Sequence, residues 1–250
     1  MDESAKREVG SLLLTLVRAA GMPGVKAWAI SVAFKYLLER LPGMNPVEAW
    51  KTIEEIYESR IRETFPSQRD PAQSFKRASG DAWENFVEVY INENDALKRE
   101  GVKASRLTGK DFEKLVARLD LDLRPKDIDM FLQAIGPTGT PKIFAALFPK
   151  VSYAERIRAD EPASRALMSK GLWSATVTLD ARNELGSEAS PSVKRQTINR
   201  GGFHACYSFN HHTITGGRIY QARYADKGPR TNPFIRGIIQ AWRERLDDPP

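Results

Sequence analysis

The chain has 250 residues, of which 41% are hydrophobic and 28% are charged, a composition typical of a globular protein with a substantial core. The net charge of +6 is compatible with a polyanionic partner, and the one cysteine, Cys206, excludes an internal disulfide and a thiolate zinc cluster. The first ten residues lack the basic segment of a secretory signal, and the apolar run after them is too short to span a membrane, so we expect a soluble, intracellular protein.

The first half of the chain has apolar residues at the three- and four-residue spacing of α-helices. Four helices are predicted, in VGSLLLTLVRAAG, KAWAISVAFKYLLERLPG, NPVEAWKTIEEIYESRIRETF and PAQSFKRASGDAWENFVEVYINEN. Asn45 and Pro46 are residue types that favour the N-cap and the first helical position. A shorter fifth helix, with Thr108 as its cap, is predicted in LTGKDFEKLVARLD. We interpret the chain as one domain, 1–250, with a helical N-terminal subdomain (1–70) and a core (71–250).

Strand patterns begin near residue 127. DIDMFLQ and KIFAALF are predicted strands, and the short Gly- and Pro-rich loop between them favours an antiparallel hairpin. A helix is predicted in PASRALMSKG, with Pro162 in its first turn and Gly171 past its end. Three further strands are predicted in LWSATVTLD, FHACYSFN and GRIYQARYA, a mobile polar loop in ELGSEASPSVKRQTINRGG, and a C-terminal amphipathic helix in TNPFIRGIIQAWRERL. The pattern predicts an α/β fold with a mixed sheet flanked by helices and a helical N-terminal layer.

The predicted hairpin carries an acid on one strand and a lysine on the next. Asp129 is either part of a solvated strand face or a ligand for a divalent cation. Alternation along the second strand groups Lys150 with Phe144, Ala146 and Phe148. A lysine that continues an apolar face either extends to solvent at the strand end or stabilises charge beside an acidic metal site.

Two glutamates add to this set. Glu84 lies on a helical stripe with Val87 and Ile91, where a carboxylate needs a partner, either in a salt bridge or at a metal. Glu161 is either a carboxylate at the start of a helix or an acid of the site that follows Lys150. With Asp129 on one strand and Lys150 on the next, these carboxylates make up the D…(E/D)xK-like arrangement of metal-dependent nucleases.

Two basic segments are candidates for contact with DNA. In the major groove, arginine pairs with guanine and glutamate accepts from cytosine, so the pair Glu155–Arg156 suits G·C base pairs. The same dipeptide is also common on solvated helices. The polar loop with Lys194, Arg195 and Arg200 either follows a DNA backbone or is simply solvated.

Five blocks of the chain, in order, resemble the AgeI-like type II restriction endonucleases, a branch of the CCGG family of PD-(D/E)XK nucleases to which BsaWI is more distantly similar. The blocks are NPVEAWKTIEEIY, SFKRASGDAWENFVE, DIDMFL, KVSYAERIRADEPASRALMSKGLWSATVTLD and GGFHACYSFN. The resemblance implies the PD-(D/E)XK fold and four catalytic residues: Asp129, Lys150, Glu161 and Glu84. The three acids would bind Mg²⁺. The resemblance implies Glu155 and Arg156 as the pair that reads CCGG. Arg158, a departure from the family, offers a further base or phosphate contact, and Ser152, Lys194, Arg195 and Arg200 are the other expected DNA contacts.

The resemblance also implies a reaction and partners. The expected activity is Mg²⁺-dependent hydrolysis of double-stranded DNA before the CCGG core of a palindrome, ACCGGT by resemblance, which leaves four-base 5′ overhangs. Palindromes are read by two-fold dimers, so a homodimer is expected in the bacterial cytoplasm, together with a cognate DNA methyltransferase. The apolar face of the C-terminal helix, formed by Phe234, Ile238, Trp242 and Leu246, would serve either core packing or the dimer interface.

One departure from the family concerns Pro149, directly before Lys150, because a proline removes a ladder hydrogen bond and suggests an edge strand or a bulge. Two rival functions stay open at this point. A DNA-binding protein of the same fold without cleavage activity would have no need of the Asp129, Lys150 and Glu161 set. A small-molecule enzyme on an unrelated α/β fold would need a phosphate-binding glycine loop or a nucleophile elbow, and the sequence contains neither motif.

Overall fold

The computed structural model describes residues 3–19, 24–107, 109–136, 139–152 and 156–246. The predicted cap Thr108 therefore lies outside the described residues. The chain divides into two compact units, Met1–Val87 and Glu88–Pro250. The division falls inside helix α4 (Pro71–Glu93), beyond the predicted subdomain boundary at residue 70.

The first unit is helical, as the apolar spacing predicts. Its helices are α1 (Glu3–Ala19), α2 (Val25–Arg40), α3 (Pro46–Arg60) and the first part of α4. The side chain of Asn45 accepts a hydrogen bond from the Val47 N–H at 3.2 Å, which confirms the predicted N-cap. An aromatic cluster forms the core of this unit, and its members meet mostly edge to face: Phe34, Trp50, Phe75, Trp83 and Phe86.

The second unit contains a mixed sheet in which six strands follow one another in sequence order. The strands are β1 (Lys103–Ser105), β2 (Met130–Ile135), β3 (Pro141–Lys150), β4 (Trp173–Thr178), β5 (Ala205–Ser208) and β6 (Ile219–Gln221). The pairs β1–β2 and β2–β3 are antiparallel, which confirms the predicted hairpin. The pairs from β3 to β6 are parallel. The three connections that join β3, β4, β5 and β6 are therefore crossovers, as in an α/β protein.

Helices cover both faces of the sheet. The helices of this unit are α5 (Asp95–Arg99), α6 (Gly109–Arg118), α7 (Arg156–Ser169), α8 (Val193–Thr197) and α9 (Pro233–Arg243). On one face, α6 and α7 pack in a buried cluster with Phe148 and Phe203, whose rings are 5.6 Å apart. On the other face, Phe234 of α9 packs against Tyr207 of β5 with ring centroids 5.1 Å apart. The predicted mixed α/β fold is confirmed.

Two details of the predicted hairpin are wrong. Strand β2 begins only at Met130, because residues 125–127 form a 3₁₀ turn in which the Asp127 carboxylate accepts from the Arg124 N–H at 2.8 Å. The β2–β3 register also shifts between Leu132 and Gln133. As a result Phe144 packs against Trp242 of α9, with ring centroids 5.2 Å apart, and does not share the face of Lys150.

Pro149 lies in a central strand, contrary to the edge strand or bulge that it suggested. It pairs in register with Val177 of β4. The Leu179 N–H donates to the Lys150 carbonyl at 3.2 Å, so the backbone of Lys150 faces β4 and that of Pro149 faces the β2 side. The β2 pairing extends only as far as Leu147. The missing N–H of Pro149 therefore removes no bond of that ladder.

Two segments after β3 also differ from the prediction. Helix α7 starts at Arg156, so Pro162 lies inside the helix and not in its first turn, where the sequence predicted it. Because proline has no N–H, it leaves the Arg158 carbonyl without its helical donor. The predicted end is confirmed, since Gly171 has φ +82° just past the helix. The predicted polar loop contains α8, which is capped by the Ser192 hydroxyl accepting from the Arg195 N–H at 3.1 Å.

Helix α9 is capped as predicted, since the Asn232 side chain accepts from the Phe234 N–H at 2.9 Å, but it ends at Arg243, before the predicted end at Leu246. Its apolar residues Phe234, Ile238 and Trp242 are buried within the second unit. These residues of the face therefore serve core packing, the first of the two predicted uses, whereas Leu246 lies beyond the helix and is half-buried. None of the described helices is both long and apolar enough to cross a membrane.

Candidate active site

Lys150 and two carboxylates form a cluster at the carboxyl end of the central strand β3. The Lys150 Nζ lies 2.5 Å from Asp129 Oδ2 and 3.4 Å from Asp160 Oδ2. The three side chains are 7%, 16% and 17% exposed, in that order. At this burial the charges are only partly screened by solvent, so the ammonium group attracts both carboxylates more strongly than it would at the surface.

The chain brings these residues together through its topology. Met130 pairs with Leu147, so Asp129, just before β2, lies beside the carboxyl end of the antiparallel strand β3. Lys150 is the last residue of β3. Helix α7 follows and packs back on the sheet through Ile157 and Leu167, which carries Asp160 over the end of β3. This β3–α7–β4 unit is a parallel crossover, and such units place functional side chains at the carboxyl ends of their strands.

The helix contributes Asp160 to this cluster, whereas the sequence prediction named Glu161. Glu161 forms an ion pair with Arg165, one turn further along α7, at 2.8 Å. Neighbouring residues on a helix point about 100° apart, so only one of the two acids faces Lys150. The sequence contains a signal for the acid that faces Lys150, because Asp160 continues the stripe of the buried residues Ile157, Ser164 and Leu167.

Asp127, the other acid near β2, is held apart from this cluster. Its carboxylate accepts two hydrogen bonds from the Arg124 guanidinium, both at 3.2 Å. Hydrogen bonding to Arg124 lowers the pKa of Asp127, since it favours the charged form. Asp127 thus belongs to the turn that leads into β2.

The remaining predicted site residues lie on several different elements. Glu84 is half-buried on α4 in the first unit. Ser152 follows β3 and is half-buried, and Arg158 is exposed on α7. Glu155 lies outside the described residues, and of Arg156 only the backbone, the start of α7, is described.

Of the three basic residues predicted to follow DNA, one has a different role. Arg195 is 1% exposed, and its guanidinium donates to the carbonyls of Leu185 and Gly186, each at 3.1 Å. It stabilises a loop from inside, so the prediction of a DNA contact is wrong for Arg195. Lys194 is ion-paired with Glu184 at 2.5 Å, and Arg200 is exposed.

The carboxylates around Lys150 are suitable ligands for a hard divalent cation. Mg²⁺ prefers oxygen ligands and commonly takes one or two carboxylates, with waters and substrate phosphate oxygens completing the octahedron. Asp129 and Asp160 supply that number. Within the part of the chain that the structure describes, no three His, Cys, Asp or Glu side chains are arranged to hold a metal. The two carboxylates fit a cation that shares its coordination with water and substrate.

Comparisons with known proteins place the chain in a family. No family model matches it. The type II restriction enzyme AgeI of Thalassovita gelatinovora is 34% identical over 203 residues, covering 73% of this chain and 70% of AgeI. The chain belongs to the AgeI-like type II restriction endonucleases. The predicted family is confirmed, and with it the class of enzyme, a site-specific nuclease.

The same relationship is seen in solved structures. The crystal structure of a specific AgeI–DNA complex superimposes with a TM-score of 0.81 and 26% identity, covering 96% of this chain and 92% of that one. A pre-specific BsaWI–DNA complex is more distant, with a TM-score of 0.49 and 16% identity over 99% of this chain and 95% of that one. The AgeI structure thus shares the overall fold of this chain.

Proposed function

We propose that this AgeI-like enzyme cuts double-stranded DNA by Mg²⁺-dependent hydrolysis at a palindrome with a CCGG core. The site ACCGGT is our first choice, with cleavage before CCGG and four-base 5′ overhangs. The observation that carries the proposal is the cluster of Asp129, Lys150 and Asp160 at the carboxyl end of β3. The match to a DNA complex of AgeI supports DNA as the partner.

In this proposal the two carboxylates and the lysine have separate tasks. Asp129 and Asp160 hold the cation through their oxygens. When bound, Mg²⁺ neutralises phosphate charge and lowers the pKa of a coordinated water. Lys150, whose Nζ is aimed by the two carboxylates, orients the attacking water and stabilises the charge that develops on the phosphate. The burial of Lys150 limits its motion, so its ammonium group is positioned before the substrate arrives.

The two predicted glutamates, Glu161 and Glu84, are treated differently in this proposal. We assign the helix carboxylate to Asp160 and not to Glu161, because Glu161 is engaged by Arg165. Glu84 is kept as a further acid of the site. This assignment of Glu84 rests on its stripe on α4 and on the family resemblance.

For sequence recognition we propose Glu155 and Arg156 as readers of the G·C pairs, with Ser152 and Arg158 as neighbouring contacts. Arg200 is exposed and is suited to bind phosphate. Lys194 is a weaker candidate, because its ammonium is already paired with Glu184. Since the site is a palindrome, we expect a homodimer on DNA. A cognate methyltransferase would protect the bacterial host, and both enzymes would act in the cytoplasm.

The first experiment is to incubate the purified protein with a plasmid that carries one ACCGGT and several other CCGG-core hexamers. Parallel reactions contain Mg²⁺ or EDTA, and run-off sequencing locates the ends. Discrete Mg²⁺-dependent cuts before CCGG, absent with Lys150→Ala, support the proposal and reveal the outer bases. Specific binding without cutting favours a DNA-binding protein that lacks cleavage activity, and the absence of both refutes the proposal.

A further inference from the structure

A buried polar network lies just beyond the ends of β4 and β5, next to the candidate active site. At its centre is Asp180, which is 1% exposed. Its Oδ1 accepts from the Glu184 N–H at 2.7 Å, and its Oδ2 accepts from the Thr213 hydroxyl at 3.2 Å. A buried carboxylate is costly unless it is fully hydrogen-bonded, so this arrangement has a specific structural task.

The turn that contains Asp180 holds the backbone of the active-site lysine. The Leu179 N–H donates to the Lys150 carbonyl at 3.2 Å, and the Ala181 N–H donates to the Val151 carbonyl at 3.4 Å. Asp180 lies between these two donors, and its own N–H is held by the Thr178 hydroxyl at 2.9 Å. The conformation of Asp180 therefore determines where both donors point.

A second set of contacts keeps this turn in place. The Asn210 side chain donates to the Asp180 carbonyl at 3.1 Å and to Asn183 Oδ1 at 2.6 Å. The hydroxyls of Ser208 and Thr213 are 2.6 Å apart. Asp180 and Asn183 have φ values of +48° and +53°, in the left-handed region that aspartate and asparagine adopt more readily than most residues. The turn is thus held in an unusual conformation by its side chains.

The position of the Lys150 backbone depends on its contacts with β4 and the turn that follows β4. Pairing between β2 and β3 extends only to Leu147, so the strand end that carries Lys150 is held by β4 and the turn after it. We infer that Asp180 is a positioning residue for Lys150, acting through the backbone bonds from Leu179 and Ala181. The inference rests on the proposed role of Lys150 in cleavage. It assigns a function in the reaction to a group outside the cluster of Lys150, Asp129 and Asp160.

The test compares Asp180→Ala, Asp180→Asn and Thr213→Val with the wild type. Lys150→Ala is the inactive control, and Glu113→Ala, an exposed acid on α6, is the matched neutral control. Three readouts are taken at a temperature where melting curves show each variant to be folded: the single-turnover rate of plasmid cleavage, the Kd for the same DNA in Ca²⁺, and hydrogen exchange of peptides covering residues 179–184.

For Asp180→Ala we expect faster exchange in these peptides and a single-turnover rate reduced by about tenfold or more, since misplacement by ~1 Å costs up to ~100-fold. The Kd should change by less than about threefold, because no DNA contact is removed. Asp180→Asn should recover most of the rate, since its carbonyl still accepts from Glu184 and the Thr213 hydroxyl can turn. Thr213→Val should reproduce a smaller rate loss, and it decides the matter if Asp180→Ala does not fold.

Other outcomes separate the possible failures. A folded Asp180→Ala variant with the wild-type rate overturns the inference, and so does a rate loss that is matched by an equal loss of DNA affinity. An Asp180→Asn variant that is as slow as the alanine variant also counts against it. If the wild type cuts nothing, or if Lys150→Ala cuts normally, the proposed function itself is refuted, and the positioning role is refuted with it.

Discussion

The choice between Asp160 and Glu161 gives the sharpest prediction about the reaction. Asp160→Asn keeps the shape of the side chain and removes the charge 3.4 Å from Lys150 Nζ. Changing even an outer partner of a metal ligand typically costs 10- to 100-fold in activity, so under the proposed role of Asp160 as a direct ligand its loss should lower the single-turnover rate by at least about 100-fold. Glu161→Gln removes only an ion pair between i and i+4 on the helix, worth about 0.3–0.5 kcal/mol, so its rate should change by no more than about threefold.

The assay is single-turnover cleavage of the plasmid over a series of Mg²⁺ concentrations. With Asp160→Asn, the Mg²⁺ concentration that gives half the maximal rate should rise, because one carboxylate ligand is lost. Glu161→Gln should follow the wild-type curve. Melting curves for both variants confirm that the folded protein is being compared.

The opposite result would refute the reasoning. If Glu161→Gln abolishes cleavage while Asp160→Asn retains it, then the family-based assignment of Glu161 is correct and the ion pair with Arg165 breaks on DNA binding. If both variants are inactive, both acids serve the reaction. Equal activity of both variants with the wild type would remove α7 from the metal site altogether.

Three further predictions concern stability. Burial raises the pKa of Asp180 from 3.8 to about 6, so the folded state binds this proton more tightly than the unfolded state. As the pH rises from about 4 to 7, the contribution of Asp180 to the free energy of unfolding should therefore fall by about 3 kcal/mol. Urea unfolding measures this change, and Asp180→Asn should lack it. Gly237→Ala places a Cβ 2.0 Å from the Tyr207 hydroxyl in the packed core and should cost about 1–3 kcal/mol, whereas Gly80→Ala, with open space around it on α4, should gain up to about 1 kcal/mol; a stable Gly237 variant would contradict the packing. Arg195→Met should lower the free energy of unfolding by at least about 2 kcal/mol, because it leaves buried carbonyls without donors. The salt dependence of DNA binding should not change. If the slope of log K against log salt concentration falls by about 1, Arg195 contacts a phosphate after all.

The order of the secondary structure elements follows directly from local patterns. Three- and four-residue spacing predicts the helices of the first unit, and the caps Asn45 and Asn232 form as their residue types suggest. The hairpin of β2 and β3 follows from two strand patterns around a short loop rich in glycine and proline. These features depend on neighbours within a few residues, so the sequence is sufficient for them. Five blocks that resemble the AgeI-like enzymes, in the same order, were also enough to identify the family.

Contacts between distant segments decided the rest. The bulge near Phe144, the central position of Pro149 and the burial of Arg195 all depend on which strand or loop lies alongside. The phase of α7 depends on how it packs on the sheet, and that phase selects Asp160 over Glu161. The sequence by itself identified the family and named Asp129 and Lys150 as candidates; the tertiary structure decided which carboxylate of α7 faces Lys150. The reason is that adjacent helical residues differ by about 100° in direction, and only packing fixes that direction.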